Sequence, residues 1–197
     1  MKGEIIMDVF QAIDSRRSIR IFKNEPVSNE FIRKILDAGI KAPSGKNKQP
    51  WNFVVVTGDK RLEIVRILRD GIKTIKAQGG NTGSAEYSAN IMEQAPVIIF
   101  IFNPYGLPPW RKKTLDQKFA DVVDIQSAGA AIQNMILAAQ SLGLGTLWIC
   151  DVFFAYWELC KYLNKKCQMI AALAIGYADE NPPMRPRKSI DEVTEWL

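Results

Sequence analysis

At 197 residues the chain is long enough for one domain with a sizeable core, and 47% hydrophobic with 24% charged residues is the composition of a folded, water-soluble protein, not a disordered one. Lys and Arg exceed Asp and Glu by five, a surplus that suits any anionic partner and so selects none. There is no histidine, which removes His-based acid–base catalysis, Ser-His-Asp and Cys-His nucleophiles and most zinc sites; the three cysteines form no CxxC pair and read as reduced thiols.

Met1–Asp8 has neither the apolar stretch nor the cleavage site of a signal peptide. The longest apolar run beyond it, Val97 to Phe102, is far short of a membrane span, so a cytoplasmic protein with no membrane partner is expected. Asp8 to about Arg17 reads as a short helix with Val9, Phe10 and Ile13 on one side. Ser28 and Asn29 offer an N-cap to an amphipathic helix carrying Phe31, Ile32, Ile35, Leu36, Gly39 and Ile40. That helix stops before Ala42-Pro43, and a polar loop runs to Pro50.

Trp51 to Thr57 predicts a strand, followed by an amphipathic helix with Leu62, Val65, Ile67 and Leu68. Residues 71–90 stay ambiguous, because Gly71, Gly79, Gly80 and Gly83 break the pattern. Pro96 to Phe102 reads as a buried strand, and Asn103 to Asp116 as a surface excursion with three prolines and the basic run Arg111-Lys112-Lys113. The longest helix is expected over Gln117 to Leu142, apolar almost all round from Ala128 and ended by Gly143. A strand at Leu147–Ile149, a helix over Phe153–Leu163, a strand at Met169–Ile175 and a proline-rich tail with a short helical ending complete the chain.

Four segments carry chemistry, each with two readings. Arg16-Arg17-Ser18-Ile19-Arg20 can surround a phosphate with guanidinium forks, or be solvated charge at the negative end of a helix. Pro43-Ser44-Gly45-Lys46-Asn47-Lys48-Gln49-Pro50-Trp51 can hydrogen-bond a flat heterocycle, or be a connector made of common turn residues. Leu142 to Cys150 holds a Gly-x-Gly, but after a helix and before a strand, the reverse of a dinucleotide fingerprint. Arg185-Pro186-Arg187-Lys188 is a second anion site or a solvated charge run.

Together, in this order and spacing, these segments resemble the nitroreductase-like flavoproteins along nearly the whole chain. The resemblance rests on RRSIR, AGIKAPSGKNKQPW with its VVV strand, DIQSAGAAIQNMILAAQSLGLGTLWI and AIGYADENPPMRPRK. It implies an α+β fold, a central, mostly antiparallel sheet flanked by helices, as one domain over residues 1–197. It also implies an intertwined homodimer with FMN at the interface, without a metal and without a catalytic side chain. By the same resemblance Arg16, Arg17, Ser18 and Arg20 contact the phosphate and pyrimidine end of the flavin, joined by Arg185 and Arg187. Pro43, Ser44, Gly45 and Asn47 reach it from the partner subunit. Trp148, Ile149, Cys150 and Asp151 pass the ring near N5, where a backbone N–H is the expected contact, and Asn90 offers a polar contact. Cys150-Asp151 departs from the Glu-Gly that some members carry, and Cys150 is expected to be inert.

The implied activity is electron transfer from NADH or NADPH through FMN to a nitroaromatic, quinone or similar small acceptor, with no nucleic acid involved. Two alternatives stand beside it. One is a specialised flavoenzyme of the same superfamily: a dehalogenase, an enoate-type reductase or a flavin-fragmenting enzyme. The other is a flavin-binding module without turnover. The Tyr105–Lys113 segment is either a lid that selects acceptors or an irregular solvated loop.

Overall fold

The structure, a computed structural model, describes residues 7–197, so most of the leader reading of Met1–Asp8 lies outside the described residues. Strand β1 (Asn52–Thr57) pairs with β2 (Val97–Asn103), β2 with β4 (Gln168–Gly176), and β4 with β3 (Gly145–Ile149). The order is β1-β2-β4-β3 and every pair is antiparallel, as expected. Six α-helices surround it among the described residues: α1 (Val9–Ser15), α2 (Asn29–Ile40), α3 (Asp59–Ala77), α4 (Ala85–Gln94), α5 (Leu115–Ser141) and α6 (Tyr156–Tyr162).

Strand alternation sorts the core into two layers. Ile98, Phe100 and Phe102 of β2, with Ala172 and Ala174 of β4, face α3, α4 and α6. Val97, Ile99 and Ile101, with Ala171, Leu173 and Ile175, face α2 and α5. Because both faces are covered, β2 is buried from end to end, which is why its sequence is a continuous apolar run without alternation.

Local signals explain the helix ends. Ser28 Oγ accepts the Phe31 N–H at 3.2 Å, as its N-cap position predicts. Asp8 and Thr114 form capping boxes with Gln11 and Gln117 at the starts of α1 and α5. Gly143, at φ 75°, follows the C-terminal end of α5.

Four expectations need correction. The ambiguous 71–90 stretch is two helices, because Gly71 is a packing residue and not a breaker. A Cβ there would lie 2.5 Å from the Phe154 carbonyl oxygen and 2.7 Å from Ala155 Cβ, so its absence lets α3 press onto the 3-10 turn Asp151–Ala155. The Phe153–Leu163 helix is that turn followed by α6, a 3-10 segment that hands over to an α-helix at Tyr156. The C-terminal tail forms only a turn near residues 191–193 where a helix was expected. Finally, the apolar surface of α5 lies earlier than the sequence suggests. Ser127, Ala128 and Ala131 are buried within the single chain by α2 and the sheet, while Leu115, Phe119, Val122, Val123 and Ile125 are exposed.

The layer under α6 holds two groups whose ionisation opposes folding. Burial raises the Tyr156 hydroxyl from 10.0 to about 12, against a smaller opposing effect of the Met169 N–H that it accepts at 3.0 Å. Burial likewise raises the Cys160 thiol from 9.0 to about 11. Both folded values exceed the unfolded ones, so this contribution to stability is whole below pH 9 and is lost as the pH rises toward 12. The urea midpoint should fall over that window, and Tyr156→Phe should fall less steeply above pH 10. Parallel curves for the two proteins would exclude Tyr156 as a source of the alkaline loss.

Candidate functional site

Residues 16–23 are drawn onto the end of the sheet by backbone bonds. The Ile19 N–H donates to the Thr146 carbonyl (2.9 Å), and Ser18 bridges Thr146 in parallel register. The C-terminal tail docks onto the same segment: Lys23 N–H donates to the Tyr177 carbonyl and Asp179 N–H to the Ile21 carbonyl, each at 2.9 Å, and Phe22 bridges Ala178. Gly145 and Gly176, directly opposite each other on β3 and β4, make room for this. A Cβ on Gly145 would stand 2.6 Å from Ile19 Cγ1, and one on Gly176 2.5 Å from Pro96 Cδ and 2.9 Å from Phe22.

The two ends of the chain therefore converge. Arg16, Arg17, Ser18, Arg20, Arg185 and Arg187 line one cavity of about 150 Å³. The six residues expected at the phosphate and pyrimidine end of a flavin thus share one cavity. None of the five guanidiniums forms an ion pair with a carboxylate among the described residues. Arg17 donates to the Asp14 and Arg16 carbonyls, Arg20 to the Ser18 carbonyl, and Arg187 to the Arg185 and Pro186 carbonyls. The Glu180 carboxylate is occupied by the backbone N–H groups of Arg20 and Ile21. Arg16 is pushed below its ordinary range, first by burial and then by Arg187 and Arg17. Clustered cations without a counter-ion are a cost that a dianionic phosphate would remove.

The Pro43–Asn47 segment stands apart from this cavity in the same chain, over α5. The Gly45 N–H donates to Ser127 Oγ (3.3 Å), and Ser44 Oγ accepts the Gln49 N–H (3.0 Å). Lys46, Asn47 and Gln49 all have φ between 52° and 54°, the left-handed region that costs a side chain-bearing residue energy. Lys48 anchors the loop by an ion pair to the buried Asp124 at 2.6 Å. Three such residues in one connector mark a strained conformation held in place by its contacts.

β3 carries the other expected positions away from the arginines. Trp148 is 40% exposed, whereas the Ile149 side chain is buried in the layer of α3, α4 and α6, leaving its backbone as the available contact. The Cys150 thiol is raised by burial and then by Asp151, which makes it a poor nucleophile. The Asp151 carboxylate accepts the hydroxyls of Ser84 (3.0 Å) and Ser88 on α4. That tie escaped the sequence because both serines lie in the ambiguous stretch. Asn90 does not join this group: it is exposed on α4 and accepts from Arg69, which also pairs with Glu93.

The Tyr105–Lys113 loop lies at the other end of β4 from the arginine cavity, since Gln168 opposes Asn103 whereas Gly176 opposes Gly145. It is tied down. Lys113 pairs with Asp121 on α5, the Tyr105 N–H donates to Asn103 Oδ1, and Trp110 packs on Tyr156 and Trp157. The basic run is thus not uniformly free.

The arginine cavity makes a direct prediction. Inorganic phosphate should raise the melting temperature of the protein by binding the folded state. Arg16→Met should lose most of that increment while being no less stable than the parent in phosphate-free buffer, because a crowded charge is gone. Equal phosphate increments in the two proteins would show that the arginines do not form an anion site.

Residues 13–177 match the family model of the nitroreductase family. A Methanothermobacter thermautotrophicus protein assigned as an NADH dehydrogenase/NAD(P)H nitroreductase is 34% identical over 72% of this chain, and the match spans 60% of that relative's own length. The 4-nitrobenzoate reductase of Pseudomonas putida is 27% identical over 98% of this chain and 97% of its own. A Desulfovibrio desulfuricans protein assigned as a nitroreductase and solved with FMN superposes with a TM-score of 0.74 at 33% identity, covering 96% of each chain. With its sheet order and its converging arginines, the chain belongs to the nitroreductase family.

Proposed function

We propose that this protein is an FMN-dependent oxidoreductase that takes electrons from NADH or NADPH and passes them to a nitroaromatic, quinone or similar small acceptor. The observation that carries the reading is the convergence of five arginines from both ends of the chain, without carboxylate partners among the described residues, on one small cavity. At about 150 Å³ the cavity takes a terminal phosphate and not a whole flavin. From Thr146, beside that cavity, β3 runs extended to Ile149, about 10 Å, before Cys150 turns the chain into the 3-10 segment, a length suited to laying a ring along the strand.

Bound FMN supplies the two-electron chemistry, and the residues supply position and charge. Arg16, Arg17, Arg185 and Arg187 hold the phosphate, and Ser18 offers a hydroxyl donor. Arg20 and Arg17 place positive charge where electron density grows on reduction, which is electrostatic preorganisation. Ile149, its side chain turned into the core, offers backbone to the ring edge, with Trp148 beside it. Asp151 holds this segment against α4 through Ser84 and Ser88. No ionisable catalytic side chain is required, which suits a chain without histidine.

The working unit in this reading is a homodimer, in which the strained Pro43–Asn47 loop of one subunit completes the site of the other. The exposed apolar residues of α1 and the first half of α5 (Val9, Phe10, Ile13, Leu115, Phe119 and Val122) supply the surface for it.

Extraction of the purified protein should yield FMN and not FAD, since a site closed round a terminal phosphate leaves no room for an adenylate. NADH or NADPH should bleach the visible flavin band; a flavin that stays oxidised would remove the reductase reading. Arg20→Ala should weaken FMN by roughly 1.5–3 kcal/mol, about tenfold or more. Mixing Arg20→Ala with Asn47→Asp should restore one intact site in each heterodimer, and mixtures no better than the separate variants would refute the shared site.

A further inference from the structure

A second concavity, of about 390 Å³, opens where α3 meets α6 and shares no residue with the arginine cavity. Its walls are aromatic. Trp110 meets Tyr156 edge-on at 4.7 Å and Trp157 at 5.8 Å between ring centroids, and Tyr156 meets Trp157 at 5.2 Å, with Phe153 beside them. The rings brace one another, yet Trp110 and Trp157 stay 53% and 51% exposed. Two large rings held together in water are unusual for a surface with no ligand.

The rim is acidic. Asp70 comes from α3 and Glu158 from α6, and no lysine or arginine lines the cavity, although the chain carries a surplus of five positive charges. The ion pair of Asp70 is a loose one, to Arg66 at 3.8 Å. Glu158 forms no ion pair or hydrogen bond among the described residues. On the other side of Trp157 lies a groove of the opposite sign, of about 380 Å³, rimmed by Lys161, Lys165 and Lys166. Trp157 thus separates two aromatic-walled grooves that differ in charge.

We propose that the acidic groove is a binding site for a small organic cation of the alkylated-ammonium class. Such a cation is attracted to the π faces of tryptophan, and its weakly hydrated alkyl groups leave water readily. The unpartnered Glu158 supplies the opposing charge. A hard metal ion is not the expected occupant, because the walls are rings and not a cage of oxygens. The floor, Phe153 and Phe154, belongs to the same 3-10 turn as Asp151, so an occupant touches the segment that Asp151 ties to α4.

The test is calorimetric titration of the purified protein, as isolated, with benzyltrimethylammonium, benzyl alcohol and phenylacetate, followed in parallel by tryptophan fluorescence. The cation should bind about tenfold or more tightly than either of the others, and Glu158→Gln and Trp157→Leu should each weaken it about fivefold or more. Circular dichroism establishes that the variants are folded, and Glu158→Gln, at an exposed position, decides the matter if Trp157→Leu is not. Benzyl alcohol binding as well as the cation, preferential binding of phenylacetate, or an unchanged affinity in folded Glu158→Gln would each overturn the proposal.

Discussion

The architecture of the arginine site depends on a close approach that only two glycines permit. Gly145 and Gly176 face each other across β3 and β4, and a methyl group on either would collide with Ile19, Phe22 or Pro96. With hydrogen atoms in those places, residues 18–23 lie flat against the end of the sheet and offer backbone groups to the tail that follows β4. The tail pairs there and turns back, bringing Arg185 and Arg187 beside Arg16 and Arg17. A local steric fact in the sheet thereby becomes an electrostatic fact at the surface.

The fold carries that concentration of charge at a cost. Arg16 is desolvated and faces two other guanidiniums, and the cavity offers it carbonyls and a hydroxyl where a carboxylate would relieve it. The Lys46–Gln49 turn carries a cost of another kind, with three side chain-bearing residues in the left-handed region. It is held there by Ser44, Ser127 and the Lys48–Asp124 pair. Stored costs of this sort are commonly found where a ligand will compensate them. The two features stand apart within one chain, which accords with the proposed sharing of a site between two subunits.

A chain of contacts, buried at Asp124, Asn103 and Gln168, runs from Lys48 through Asp124 and Asn103 to Gln168, and on to Asp121 and Lys113. It joins the strained loop, the end of β2, the start of β4 and α5. This network makes the proline-rich excursion after β2 part of the scaffold at both its ends. It also explains why a segment that looks like a mobile flap in sequence lies anchored in the fold. The middle of that excursion leaves the network, and there Trp110 packs on Tyr156 and Trp157 of α6, at the edge of the acidic groove.

Much of this molecule was legible from local pattern. The buried run of β2, the Ser28 cap, the periodicity of α2, the glycine that follows α5 and the lack of histidine each report on chemistry within a few residues. So did the arginines as candidates. Other features were not local. Gly71 looks like a helix breaker until Phe154 and Ala155 are placed against it. The sequence marked α5 as apolar from Ala128 onward, but α2 and the sheet bury Ser127, Ala128 and Ala131 and leave Leu115, Phe119, Val122, Val123 and Ile125 open. Asn90, read as a cofactor contact, turned out to be engaged with Arg69, while Ser84 and Ser88 gained a role through Asp151. The sequence by itself determined the elements, the class of fold and the residue types able to hold a phosphate, because periodicity, capping and composition act over short range. Only the tertiary structure decided which arginines meet, which apolar faces remain open and which loop is anchored. Those outcomes depend on contacts between residues far apart in the chain, as Arg16 and Arg187 are, and whether such contacts form is settled by sterics across the sheet.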